Sequence, residues 1–273
     1  MSLPTISVST VIDTYYTLLE LGIEQSFLEN KSGISVTDLE NPDARVCISK
    51  LKLLWGIAHT YTENPAIGLF VGEKVDPSRF SVVTQASFQC KTILQGLQKY
   101  VRFFSIVNQA ASLTLKEEGE LATLEFRFES PEFYSIPEME RMAASALARS
   151  QYLLGKRITP KYMSFQHSAP SYIKDYESIF SAPILFDQET TTIVFERKFL
   201  DTKINLNNPH LLNVLTDYAE NLLKKIATKG NTQDQVRKFI KHNLEDNDAL
   251  DVKLAAKKLN ISRHTLYRKL KKE

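Results

Sequence analysis

The last 24 residues, Leu250–Glu273, constrain this chain more than any other stretch, because their spacing admits two short helices meeting at a turn. Asp251 stands as an N-cap, and Val252, Ala255, Ala256 and Leu259 follow at i, i+3, i+4 and i+7, one stripe of a helix. Asn260 tolerates the left-handed backbone that most residues avoid, Ile261 can fill the angle between two helices, and Ser262 can cap the next one. On that second helix Leu266 and Leu270 face inward. At about 100° per residue, His264, Arg268 and Lys271 fall on the opposite side, with Tyr267 and Lys272 beside them. A helix held down by two leucines and showing arginine, histidine, tyrosine and lysine outward has the form of a reader of the DNA major groove. A plain amphipathic surface helix would carry the same charge. It would not need small residues at the helix crossing, a turn residue and then a capped basic helix.

Charge is distributed to match. The chain of 273 residues has a formal net charge of +2. Residues 231–273 hold 11 Lys/Arg against 6 Asp/Glu, a net of +5, which leaves the other 230 residues at −3. Basic charge confined to one end of a slightly acidic body is expected when that end alone meets phosphate.

The remainder reads as an α+β body. Val11, Tyr15, Leu18 and Leu19 suggest an opening helix ended at Gly22, and Leu51, Leu54, Trp55 and Ala58 a second that stops before Asn64-Pro65. Thr92 to Asn108 reads as one helix. Ala111 to Leu115 and Leu121 to Phe128 read as a hairpin around Glu117–Glu120, with Leu124, Phe126 and Phe128 on the buried face. Met139 to Leu154 is an alanine-rich helix. Short strands are expected at Met163–Gln166, Ile184–Phe186 and Thr191–Phe195 around a helix at Tyr172–Ile179. This order suggests a mixed helix/strand domain rather than a doubly wound parallel sheet, followed by an all-α helix-turn-helix segment.

Asn208 to Ile226 forms a long amphipathic pattern with Pro209 in its first turn and Gly230 beyond its end. Its apolar stripe (Leu211, Leu212, Leu215, Tyr218, Leu222, Leu223, Ile226) can pack on its own domain, pair with a second subunit, or act as a hinge. A further helix at Thr232–Leu244 places Val236, Phe239, Ile240 and Leu244 on one face to pack behind the helix-turn-helix, and Glu245–Asp248 reads as a solvated loop. The chain therefore divides into an effector-binding and regulatory domain at 1–206, a linker helix at 207–230 and a DNA-binding subdomain at 231–273.

Other chemistry is poorly supported. There is no G-x-S-x-G elbow, phosphate-cradling glycine loop or H-E-x-x-H, and His59, His167, His210 and His242 lack metal-ligand spacing. No catalytic residue, metal or cofactor is expected, and His167 reads as a turn histidine. Asp43 and Arg45 read as a local ion pair pinning the Asn41-Pro42 turn. Cys47 and Cys90 form no CxxC and read as buried free thiols. The N-terminus does not have a signal-peptide pattern, and no apolar run is long enough to span a bilayer, so a cytoplasmic location is expected. The competing class is an enzyme or ligand-binding module whose C-terminal helices serve as a protein-interaction tail.

Within the reader, Arg268 is the residue suited to a base edge, since a guanidinium can make two parallel hydrogen bonds to guanine. His264 and Tyr267 neighbour it, while Arg263, Lys269, Lys271 and Lys272 suit phosphate contacts.

The run Ala256-x5-Ser262-x3-Leu266-x-Arg268-x-Leu270-Lys271 resembles the first helix-turn-helix of AraC-type transcription regulators. Four upstream pieces are similar to members carrying an arabinose-binding-like, OruR-like N-terminal domain. They are Asn41-Pro42-Asp43-Ala44-Arg45-Val46, Asn64-Pro65-Ala66-Ile67-Gly68-Leu69, Phe165-Gln166-His167-Ser168-Ala169-Pro170, and the stretch from Tyr176 to Phe186, in which Ser181 replaces a usual glycine. The resemblance implies a regulator that binds promoter double-stranded DNA under control of a small-molecule effector, with homodimerisation as a further expectation. Such regulators carry two helix-turn-helix units, so the sequence is expected to be trimmed within or just after the first. The residues of an effector pocket are not singled out by the sequence.

Overall fold

The structure is a computed structural model that describes residues 3–74, 76–229, 236, 251–258 and 262–272. Residues 4–220 form one compact unit, and 221–273 belong to a second.

The first unit opens with strand β1 (Thr5–Ser7), which pairs antiparallel with β2 (Arg45–Cys47). Between them lie helices α1 (Val8–Glu20), α2 (Gln25–Ser32) and α3 (Val36–Glu40). Ser7 caps α1 by accepting the Ser9 N–H, and Ser35 and Asp38 form a reciprocal capping box on α3. After β2 come α4 (Ile48–Tyr61), α5 (Ile67–Glu73), α6 (Val82–Phe88), α7 (Ile93–Arg102) and α8 (Phe104–Val107). Ser81 and Thr92 cap α6 and α7 in the same way.

The expected single helix over Thr92–Asn108 is two helices broken at Phe103. Phe103 and Phe104 are both buried, and the Phe103 N–H bonds the Lys99 and Val101 carbonyls where α7 ends.

Strands β3 (Ala111–Glu118) and β4 (Leu121–Phe128) form the expected hairpin, with Leu113 opposite Phe126. Helix α9 (Ile136–Leu154) follows, carrying Pro137 in its first turn and closed by Gly155 in the left-handed region at φ 66°. Then come β5 (Tyr162–Ser164), α10 (Ile173–Phe180), β6 (Ile184–Leu185) and β7 (Thr191–Glu196). The five strands lie in the order β3-β4-β7-β5-β6, antiparallel except for β5 with β6. Strand period places Ala122, Leu124, Phe126 and Phe128 on one face of β4. The first three of these pair in register with Phe195, Ile193 and Thr191 of β7. The fold class is α+β, as the element order suggests.

Two helices cross without spacing. A Cβ on Gly72 of α5 would lie 2.6 Å from the Ala144 Cβ and 2.8 Å from the Arg141 carbonyl, and one on Gly68 would lie 2.6 Å from the Pro137 Cα. The glycine pair thus seats α5 directly on the backbone of α9.

The expected Asp43–Arg45 ion pair is replaced by a different arrangement. Arg45 donates to the Thr5 hydroxyl at 2.7 Å, the Thr5 carbonyl at 2.8 Å and the Ile106 carbonyl, tying β2 to β1 and α8. The turn is pinned by Asn41, whose Oδ1 accepts the Asp43 N–H at 3.0 Å, while Asp43 accepts from the Tyr218 hydroxyl. Cys90 is buried as expected, whereas Cys47 is half-buried.

Helix α11 (Pro209–Lys229) runs slightly beyond its expected end, and its stripe is split. Leu212 packs on the core of the first unit and Ala219 is buried, but Leu211, Val214 and Tyr218 are exposed.

In the second unit, α12 (Val252–Lys258) and α13 (Arg263–Lys272) bracket the expected turn. The expected Thr232–Leu244 helix lies outside the described residues except at Val236, which is helical. Gly230, the Glu245–Asp248 loop, Leu259, Asn260 and Ile261 also lie outside them.

Candidate functional site

The second unit builds a small reader around three buried residues, Ala255, Ala256 and Leu266, with Val236 and Leu270 packed against them. The small side chains at 255 and 256 let α12 approach α13. Asp251 precedes α12, and its carbonyl accepts the Ala255 N–H at 3.0 Å. Ser262 caps α13: its Oγ accepts the Thr265 N–H at 3.1 Å, and its carbonyl accepts the Leu266 N–H at 2.9 Å. Val252 departs from the expected inward stripe, being 41% exposed, because it occupies the first turn, short of the α12–α13 contact.

On the outer side of α13, Arg263, His264, Tyr267 and Arg268 are all exposed, Tyr267 at 60%. The structure therefore brings these four predicted residues onto one helix with Leu266 beneath them. Lys271 and Lys272 fall on the last turn of α13, and their side chains lie outside the described set, as does that of Lys269.

The first unit contains a cavity of about 130 Å³ that sequence reasoning did not find. One wall is the inner face of the sheet, with Leu113, Leu124, Phe126, Ile193 and Phe195. Facing it are α6 and α7, with Thr84, Phe88, Leu97 and Tyr100, and one stripe of α9 from Arg141 to Leu153. Ser9 and Thr10 of α1 and Asn108 close the remaining side. The lining is mainly hydrocarbon, with a few polar groups, the composition of a small-molecule site. A faint signal was present in the sequence: Arg141, Ser145 and Arg149 recur at i, i+4 and i+8 in an otherwise alanine-rich helix.

The two arginines of this wall differ. Arg141 is buried and donates to both oxygens of Glu138, which also accepts from the Trp55 indole at 3.2 Å. Burial opposes the Arg141 charge, but Glu138 outweighs it and holds the guanidinium above its usual pKa. Arg149 lies over the Phe80 ring, 5.5 Å from its centroid, and among the described residues no carboxylate lies within ion-pair distance of it. Asp13, whose field reaches Arg149, sits 3.6 Å from Arg79; burial raises its pKa against the pull of three arginines.

Beyond the cavity, α9 contributes Glu140 to a buried polar chain. The Tyr134 hydroxyl meets His167 Nδ1 at 2.9 Å, His167 Nε2 meets the Tyr176 hydroxyl at 2.8 Å, and Tyr176 donates to Glu140 at 2.6 Å, joined by Tyr172 at 2.7 Å. Donor counting assigns the direction. Tyr176 gives its proton to Glu140, so it accepts from His167 Nε2–H, and Nδ1 accepts from Tyr134. Burial pushes Glu140 up to about 7 and His167 down to about 4, consistent with a neutral imidazole. His167 lies in the bend after β5, as expected of a turn histidine, and is also buried and bonded on both sides. Phe165 and Phe186 pack against it, and Phe180 packs on Phe165 and Tyr176.

Among the described residues no group of acidic, histidine or cysteine side chains could hold a metal ion, and no helix is long and apolar enough to cross a membrane.

Comparison with known proteins gives the frame a lineage. Residues 22–204 match the family model for the arabinose-binding domain of AraC transcription regulator, N-terminal. Residues 251–272, which hold α12 and α13, match the model for bacterial regulatory protein, Fis family. The chain is 20% identical over 252 residues to the ornithine utilization regulator of Pseudomonas aeruginosa, covering 92% of this chain and 74% of that regulator. Its fold is similar to the crystal structure of transcriptional regulator CdpR from Pseudomonas aeruginosa, with a TM-score of 0.50 and 15% identity over 81% of this chain and 72% of that one. With a family model spanning most of its length and a capped two-helix reader in its second unit, the chain belongs to the AraC transcription regulators with an arabinose-binding N-terminal domain.

Proposed function

We propose that this protein is a cytoplasmic, sequence-specific DNA-binding regulator rather than an enzyme, and that a small molecule held in the cavity of the first unit controls it. In this reading residues 1–206 are the effector-binding and regulatory domain, 207–230 the linker helix, and 231–273 the first helix-turn-helix subdomain. The carrying observation is the Ser262-capped helix that keeps Leu266 buried while Arg263, His264, Tyr267 and Arg268 stay exposed. Arg268 takes a base edge, His264 and Tyr267 contact neighbouring bases or thymine methyls, and Arg263, Lys271 and Lys272 contact phosphate. The exposed Leu211, Val214 and Tyr218 of α11 lie at i, i+3 and i+7 and favour a homodimer through that helix.

Control requires only that the effector bind one arrangement of the protein more tightly than another. A gel-shift against the promoter beside its own coding region tests the reading. The expected result is a sequence-selective complex whose affinity falls steeply with salt. Equal binding to unrelated duplexes, or none at low salt, would overturn it in favour of an interaction tail.

A further inference from the structure

We infer that the cavity takes an elongated aliphatic carboxylate, one oxygen of its head met by Arg149 and the other by the amide of Asn108. This deepens the proposed effector role of the cavity and rests on it.

Shape comes first. The α9 positions lining the cavity run from Arg141 to Leu153, 12 steps that at a helical rise of about 1.5 Å each make a wall of about 18 Å. A guest that touches the whole of this stretch is extended.

Chemistry comes second. Most hydroxyls lining the cavity already donate or pair locally. Thr10 donates to the Val107 carbonyl at 3.3 Å, Ser87 to the Thr84 carbonyl at 2.7 Å and Ser150 to the Ala146 carbonyl at 2.8 Å, while Ser81 and Thr84 share a bond of 3.0 Å. A polyhydroxylated or zwitterionic guest would therefore bury several groups against hydrocarbon without partners, which is costly.

The Tyr100 and Ser145 hydroxyls also line the cavity, and two further groups in it are more demanding. Asn108 is 1% exposed; its Oδ1 accepts the Ala110 N–H at 2.8 Å, but its Nδ2 has no partner. Arg149 is a half-buried cation without a paired carboxylate, in contrast to Arg141 on the same stripe. A buried donor without an acceptor and a cation that meets Asp13 only through its field, with no ion pair, together suit an acceptor and an anion.

The test uses the full chain and calorimetric titration with dodecanoate and dodecan-1-ol, below their aggregation limits, beside L-ornithine and arabinose. Dodecanoate should bind one per chain, about tenfold or more tighter than the alcohol, the range of a charge-assisted hydrogen bond. R149Q should bring acid and alcohol within about threefold of each other, whereas R149K should keep most of the preference. N108D keeps the acceptor for Ala110 but replaces the donor, and should weaken dodecanoate.

Equal affinity for acid and alcohol in the wild type, a preference that survives R149Q, or no dodecanoate binding would each overturn the inference. Were L-ornithine or arabinose to bind and A146F to abolish it, the cavity would keep its effector role and the ligand class would be wrong. Were dodecanoate to bind as expected without altering promoter affinity, the ligand class would stand and control by the cavity would fall.

Discussion

The Arg141 guanidinium donates to both oxygens of Glu138, at 2.9 Å and 2.6 Å, three residues apart on α9 and both out of contact with water. Such a pair adds little over a well-packed apolar pair, but removing one partner strands the other charge. Glu138→Gln is expected to lower stability by about 3–5 kcal/mol in urea denaturation at pH 7. A loss below about 1 kcal/mol would show that Arg141 is neutralised by something else.

The buried chain from Tyr134 to Glu140 should leave a signature in pH. Glu140 is raised to about 7, so the native state holds its proton where the unfolded state has lost it. Its stability contribution is present below about 4.5 and is lost as pH rises through 7. His167 is lowered to about 4, so its contribution is present above about 6.5 and is lost as pH falls through 4. The two oppose each other between these limits and flatten the wild-type profile. In His167→Gln stability should fall by about 2 kcal/mol from pH 5 to 7.5, and in Glu140→Gln it should rise with pH over 4 to 6.5. Parallel profiles for the two variants would refute the assignment.

Ser181 sits in the left-handed region at φ 51°, accepting a conformation that glycine takes without strain. The turn at the end of α10 therefore keeps its left-handed form with serine in place of glycine. Ser181→Gly should raise stability by about 0.5–1 kcal/mol, seen as a higher thermal midpoint. A lower midpoint would mean that the serine hydroxyl, 3.4 Å from the Ser178 carbonyl, matters more than the backbone strain.

For the reader, Arg268→Ala should weaken promoter binding by about 1–3 kcal/mol and relax selectivity at one base pair. Arg263→Ala should instead weaken all duplexes alike and reduce the salt dependence by about one ion. Selection from a randomised duplex pool separates the two outcomes. An unchanged consensus in Arg268→Ala would remove its base-reading role.

Much of the frame was legible because its elements each expose one periodicity. The alternation Leu124, Phe126, Phe128 sets β4, and the stripe of α9 between Pro137 and Gly155 sets that helix. The break at Phe103 was not legible, since Thr92–Asn108 keeps a helical pattern throughout. The reader was legible because its residues are contiguous. The cavity was not: its walls come from residues between Ser9 and Ile204, on several helices and a sheet. The four family-like pieces do not line it. Asn64 caps the turn into α5 by accepting the Ala66 N–H, and Phe165, His167, Tyr176 and Phe180 build the aromatic cluster. They specify the scaffold and leave the guest unspecified.

Gly68 and Gly72 have a consequence for any guest. With α5 seated on the backbone of α9, the far side of that helix has no room to retreat, even by the width of a methyl group. An occupant larger than the empty space must be accommodated by α6 and α7 instead. Ligand size would then be sensed by those two helices, with α9 serving as the anvil against which they move.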